Sequence, residues 1–148
     1  MSKKIFLILL MITMLTGCAD ATPIENLSVA LILGLDLDEK NNLLVYMSSP
    51  VFSKEAKQKE EVFKVKPFST RNSREKFDAR VIGLTSGSKT QIFLLGKRLL
   101  KSENWFAYLD PFYRDPKNTV SSRIVAVDGP VSDIFIANLQ INPVFPSI

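Results

Sequence analysis

The chain has 148 residues, with 19 Lys or Arg, 15 Asp or Glu and no His, for a formal net charge of +4. Without histidine there is no Ser-His-Asp or Cys-His machinery, no usual zinc site and no imidazole to act as general base near neutral pH. The small net charge, with both signs mixed along the chain, gives no grounds for nucleic-acid binding.

Met1-Ser2-Lys3-Lys4 makes a positive start, and Ile5 to Leu15 is apolar except for Thr13. Leu15-Thr16-Gly17-Cys18 then closes the run with small residues before the only cysteine. The lysines stay with the negative inner leaflet while the apolar segment enters the bilayer. That segment is shorter than the roughly 20 apolar residues of a spanning helix, so it reads as a removable signal over residues 1–17. Cleavage between Gly17 and Cys18 leaves a lipid-modified Cys18 as the mature N-terminus. Each buried acyl methylene contributes about 0.8 kcal/mol, so two or three chains hold a protein firmly at a membrane. The alternative is an ordinary secretory signal with an incidental cysteine. Loss of Lys3 and Lys4 leaves 17 basic against 15 acidic residues. With Cys18 lipidated no thiol remains, so the body has neither a disulfide nor a thiol-based metal site.

Residues 18–23 read as a tether, with Pro23 blocking a helix. Residues 27–37 are aliphatic and β-branched and read as one strand, in which Gly34 marks a bulge or a close backbone approach. The polar residues 38–42 separate it from a second apolar run, Leu43 to Val51, which predicts an antiparallel hairpin. Residues 53–61 are a charge run, and Val62 to Lys66 alternate as a short strand stopped by Pro67. A helix is expected from a Ser73 cap, with Phe77, Val81 and Leu84 on its apolar face and Ser86-Gly87-Ser88 as its C-cap. Thr90 to Leu95 is a compact apolar strand. A second helical stretch spans about 97–113, kinked or divided at Pro111 and closed by Arg114-Asp115-Pro116. Residues 121–128, with Ile124-Val125-Ala126-Val127 at their heart, read as a buried strand. The alternation predicts an α/β or α+β fold: one domain with a mixed β-sheet packed with helices.

Few segments suggest chemistry. Asp36 to Asn42 has the acidic spacing of a calcium loop, but it lacks the central Gly, and Met47 stands where the bidentate Glu belongs, so a polar hairpin turn is favoured. Ser86-Gly87-Ser88 is not part of a Gly-x-Ser-x-Gly or Walker pattern. Glu55 to Glu61 reads as a solvated face, with a protein-partner edge as the alternative. Trp105, Phe106, Phe112 and Tyr113 read as core, with a ligand pocket as the alternative. Arg114-Asp115-Pro116 reads as a chain reversal with a local Arg–Asp pair.

In order and spacing, these motifs resemble the Ger(x)C spore-germination lipoproteins, the C subunits of nutrient germinant receptors. Cys18 is followed by Asp20 and then Ile24-Glu25-Asn26-Leu27, similar to the region after that family's lipid-bearing cysteine. Gly34-Leu35-Asp36-Leu37-Asp38 resembles the family's Gly-Ile-Asp-x-Asp strand end. Gln91 to Gly96 resembles its Lys-x-Ile-Ile-Ile-Gly strand, and Phe112-Tyr113-Arg114-Asp115-Pro116 its Phe-x-Arg-Asp-Pro signature. Ala19 stands in place of the family's usual Trp.

The resemblance implies a family domain over 24–137 and a linker over 138–148, where family members continue into two further domains, so the chain reads as a truncated C subunit. It implies a non-enzymatic protein without cofactor or metal, lipid-anchored on the outer face of the spore inner membrane. Its partners would be the integral-membrane A and B receptor subunits. The sequence-level alternatives are a surface lipoprotein binding a small solute or peptide, and a membrane-tethered enzyme using carboxylate or lysine chemistry.

Overall fold

The computed structural model describes residues 4–5, 27–52, 59–81 and 84–141. Its centre is a five-stranded mixed sheet. The strands are β2 (Ile32–Leu37), β3 (Leu43–Pro50), β4 (Glu60–Val65), β6 (Ile92–Gly96) and β7 (Arg123–Val127), in the order β4-β3-β2-β6-β7. β4-β3-β2 are antiparallel neighbours, whereas β2-β6-β7 run parallel. A second, two-stranded sheet pairs β1 (Leu27–Val29) with β5 (Leu84–Ser86) in parallel. Among the described residues four helices complete an α+β fold: α1 (Thr70–Asp78), α2 (Lys97–Leu100), α3 (Asp110–Arg114) and α4 (Val131–Ile141). A 3-10 turn, Trp105–Tyr108, precedes α3.

The expected single strand over 27–37 is two strands, because the chain changes sheets at Ala30–Leu31. The Ala30 amide donates to Ser86 O of the small sheet, while the Leu31 amide donates to Ser48 O of the large one. The β2–β3 hairpin forms as expected, in register from Ile32↔Ser48 to Leu37↔Leu43. Its turn is secured at Asn41, which takes the left-handed region at φ 58 that Asn tolerates better than most residues.

Alternation along the strands gives the large sheet two apolar faces. Leu33, Leu35 and Leu37 join Val45, Met47, Phe93 and Leu95 on one face, under Phe77 of α1, Leu99 of α2 and Leu109. Tyr46 and Leu94 lie on the other, under Val131 and Phe135 of α4. Phe135 stacks on Tyr46 with ring centroids 5.4 Å apart. Cutting a fully buried side chain such as Leu35 to Ala costs about 2–5 kcal/mol in such a core.

Three further expectations need correction. The first helix begins at Thr70, capped by Ser69, whose hydroxyl accepts the Asn72 amide at 3.2 Å; Ser73 lies inside it and donates to Thr70 O. That helix ends at Asp78, so Leu84 and Ser86 belong to β5, and Ser86-Gly87-Ser88 caps no helix. A Gly-Ser cluster can close a strand as readily as a helix, and the pairing with β1 decides it here. The third correction concerns β7, which is largely exposed rather than buried: it is the edge strand, and Ile124 and Val125 are 44% and 42% accessible. The second helical stretch divides into α2, the 3-10 turn and α3, with Pro111 in the first turn of α3, where its missing amide costs nothing.

Candidate functional site

Gly34, Asp36 and Asp38 alternate along β2 and its exit, so Gly34 and Asp36 share the face covered by α4. A Cβ on Gly34 would lie 2.5 Å from Val131 Cγ1 and 2.6 Å from Phe135 Cε2, so glycine is what admits α4 to the sheet. Asp36 is buried, and its carboxylate accepts the Leu37 amide at 2.8 Å and the Val131 amide at 3.0 Å. The second bond caps the first residue of α4 from a distant strand, placing negative charge where the helix has unpaired amides. Gly96 provides the space for this carboxylate, since a Cβ there would collide with it.

Asp38 closes the hairpin. Its Oδ1 accepts from the Lys40 amide at 2.9 Å and the Asn42 amide at 2.8 Å, and its Oδ2 meets Lys66 Nζ at 2.6 Å. These donors, Lys66 foremost, hold its carboxyl well below the usual carboxylate range. The segment that resembled a calcium loop is thus a hairpin turn whose Asp36 and Asp38 are both occupied by protein donors. Among the described residues no group of three or more His, Cys, Asp or Glu is placed to hold a metal ion.

Arg114 and Asp115 do not pair with one another. Arg114 Nε reaches back to Asp110 at 2.8 Å, whereas Asp115 Oδ2 accepts from Arg74 Nη1 at 2.9 Å. Asp115 Oδ1 accepts the Lys117 amide at 2.9 Å, and its backbone carbonyl accepts the Asn118 amide at 3.0 Å. The Lys117 amide and then Arg74 lower the Asp115 carboxyl, while Asp110 raises the Arg114 guanidinium. The motif is a turn that ends α3 and ties it to α1.

Arg114, Asp115 and Pro116 line one side of a half-open cavity of about 400 Å³, opposite Arg71, Arg74 and Phe77 of α1. Leu33 and Phe112 also line it, so it lies on the sheet face away from α4. Of the aromatic cluster, Phe112 lines this cavity and packs against Phe93 at 5.1 Å between centroids. Trp105 and Tyr113 pack on the core, and Phe106 is exposed. Thr85 Oγ1 and Asn118 Oδ1, in the cavity wall, are buried without a hydrogen-bond partner among the described residues. Each such atom costs about 1–3 kcal/mol. Asn118 is held by its Nδ2, which donates to Phe112 O at 3.0 Å, and it sits so close over Gly87 that a Cβ there would strike Oδ1.

Sequence reasoning did not single out Arg71, Arg74, Thr85, Asn118 or Val131. No local spacing marks them, since each matters through a segment far away in the chain. Gly17, Cys18 and Asp20 lie outside the described residues. Among the described residues no helix is long and apolar enough to cross a membrane.

Neither a curated protein nor a solved structure matches the chain. The family model described as spore germination protein N-terminal domain matches residues 20–147, nearly all of the sequence beyond the signal-like segment. The chain therefore belongs to the spore germination protein N-terminal domain family, in agreement with its resemblance to the Ger(x)C proteins, and that family points to spore germination.

Proposed function

We propose that this protein is the lipid-anchored, non-catalytic C subunit of a nutrient germinant receptor, held through Cys18 on the outer face of the spore inner membrane. The observation that carries the reading is one of position: the family match begins at residue 20, two residues beyond the cysteine of Leu15-Thr16-Gly17-Cys18. An anchor immediately ahead of the domain keeps it against the bilayer, where integral-membrane A and B subunits would be in reach. Support for a non-catalytic role comes from the family's motif residues. Gly34 and Asp36 seat α4, Asp38 closes a hairpin, and Asp115 joins α3 to α1. Each is engaged in holding the fold.

The assembly is tested by solubilising spore inner membranes in mild detergent and purifying the full chain through a C-terminal tag. Two integral-membrane proteins encoded beside this gene are expected to co-purify in constant ratio. Recovery of the tagged chain without them, under conditions that keep those two proteins together, contradicts the receptor assignment.

A further inference from the structure

We propose that the cavity between α1 and the Arg114-Asp115-Pro116 turn binds a small amphipathic organic anion: a carboxylate on an aromatic or branched aliphatic body. The inference goes beyond the receptor assignment and does not depend on it. Size comes first. About 400 Å³ lies within the range of sites that enclose small molecules. The chemistry of the walls then selects the ligand. Leu33, Phe77 and Phe112 supply an apolar floor that suits a ring or branched chain.

Three guanidinium groups, Arg71, Arg74 and Arg114, line the cavity against the one carboxylate, Asp115, among its described lining residues. That carboxylate is already engaged on both oxygens, by Arg74 and by the Lys117 amide. Arg114 is paired with Asp110, and Arg71 has no ion-pair partner among the described residues. The opening is therefore net positive, with one uncommitted planar guanidinium suited to a bidentate grip on a carboxylate. Thr85 adds a hydroxyl without a partner among the described residues, which a change of rotamer would offer as a donor to the ligand's carboxylate; the unpartnered Oδ1 of Asn118 is an acceptor and takes no part in holding the anion. A neutral ligand would fill the floor and leave Arg71 unused. A cation would meet the uncompensated charge of Arg71.

The test is a fluorine NMR titration of the full chain, purified in detergent, with 4-fluorobenzoate as probe. The neutral 4-fluorobenzyl alcohol and the cationic 4-fluorobenzylamine are titrated in parallel, each with a protein-free detergent blank. Saturable binding of the benzoate is expected, with the alcohol about tenfold weaker and the amine weaker still. Arg71→Glu, an exposed position whose change leaves the core untouched, is expected to weaken the benzoate about tenfold and leave the alcohol unchanged. Thr85→Val, which keeps the side-chain shape, is expected to weaken the benzoate by a smaller factor. No saturable benzoate shift up to about 10 mM overturns the proposal, because affinity weaker than that is little more than collision. Equal binding of benzoate and alcohol, or benzoate binding that Arg71→Glu leaves unchanged, overturns it as well. None of these outcomes bears on co-purification with the integral-membrane subunits.

Discussion

The amide of Val131 donates to the carboxylate of Asp36 at 3.0 Å, joining residues 95 positions apart in the chain. The same carboxylate takes the Leu37 amide, so one side chain fixes both the end of β2 and the start of α4. Asp36→Ala leaves two buried amides without their acceptor. It is expected to cost about 2–3 kcal/mol, read as a lower urea midpoint at unchanged slope. Asp36→Asn keeps one acceptor oxygen and is expected to lose less. A change below about 0.5 kcal/mol for the alanine variant would contradict this role.

Gly34→Ala places a methyl group against Val131 and Phe135, and is expected to destabilise by about 1–3 kcal/mol through overpacking. Hydrogen exchange should rise first in α4, the element that must move. Combining it with Val131→Ala opens space for the new methyl, so the pair is expected to cost less than the sum of the single changes by at least about 0.5 kcal/mol. Strict additivity would show that Gly34 does not make room for α4.

The acid limb of stability follows from three carboxyls whose values lie below normal in the fold: Asp38 beside Lys66, Asp115 beside the Lys117 amide and Arg74, and Asp128 beside Lys97. In the unfolded chain such groups take up protons near pH 4, while the folded chain resists protonation until lower pH. Protons therefore favour unfolding. The urea midpoint is expected to stay level from pH 7 to about 5 and to fall below about pH 4. Asp38→Asn should make that fall shallower. A midpoint that rises on acidification below about pH 4 would contradict these assignments.

The Arg74–Asp115 contact is part exposed, so Arg74→Ala is expected to cost under about 1 kcal/mol. Asp115→Ala should cost more, because the Lys117 amide loses its acceptor too. Thermal unfolding of the two variants checks the order, and equal losses would mean that the ion pair alone fixes the turn.

What could be read from the sequence was local. The β2–β3 hairpin is legible because residues 38–42 are polar between two apolar runs, and its turn residues act on neighbours within four positions. Strand β5 is not legible, because three residues carry no periodicity and its partner β1 lies far back in the chain. Val81 and Leu84 fell on the extrapolated face of a helix that in fact stops at Asp78, so spacing alone misled. Ile124 and Val125 mark β7 as a strand, but β-branched composition does not say whether a strand is central or at the edge. Asp36 stood out only within the Gly34-to-Asp38 motif. Its role as a helix cap depends on Val131, whose approach no spacing near Asp36 reveals.

The central claim is that Cys18 anchors a germinant receptor subunit, and the direct measurement is nutrient-triggered germination of spores carrying Cys18→Ala at the native locus, with fractionation of the same spores. The expected result is transfer of the chain from the inner-membrane to the soluble fraction, with a matching loss of germination through this receptor. A Cys18→Ala chain that stays in the membrane fraction and supports germination at the normal rate would contradict the claim.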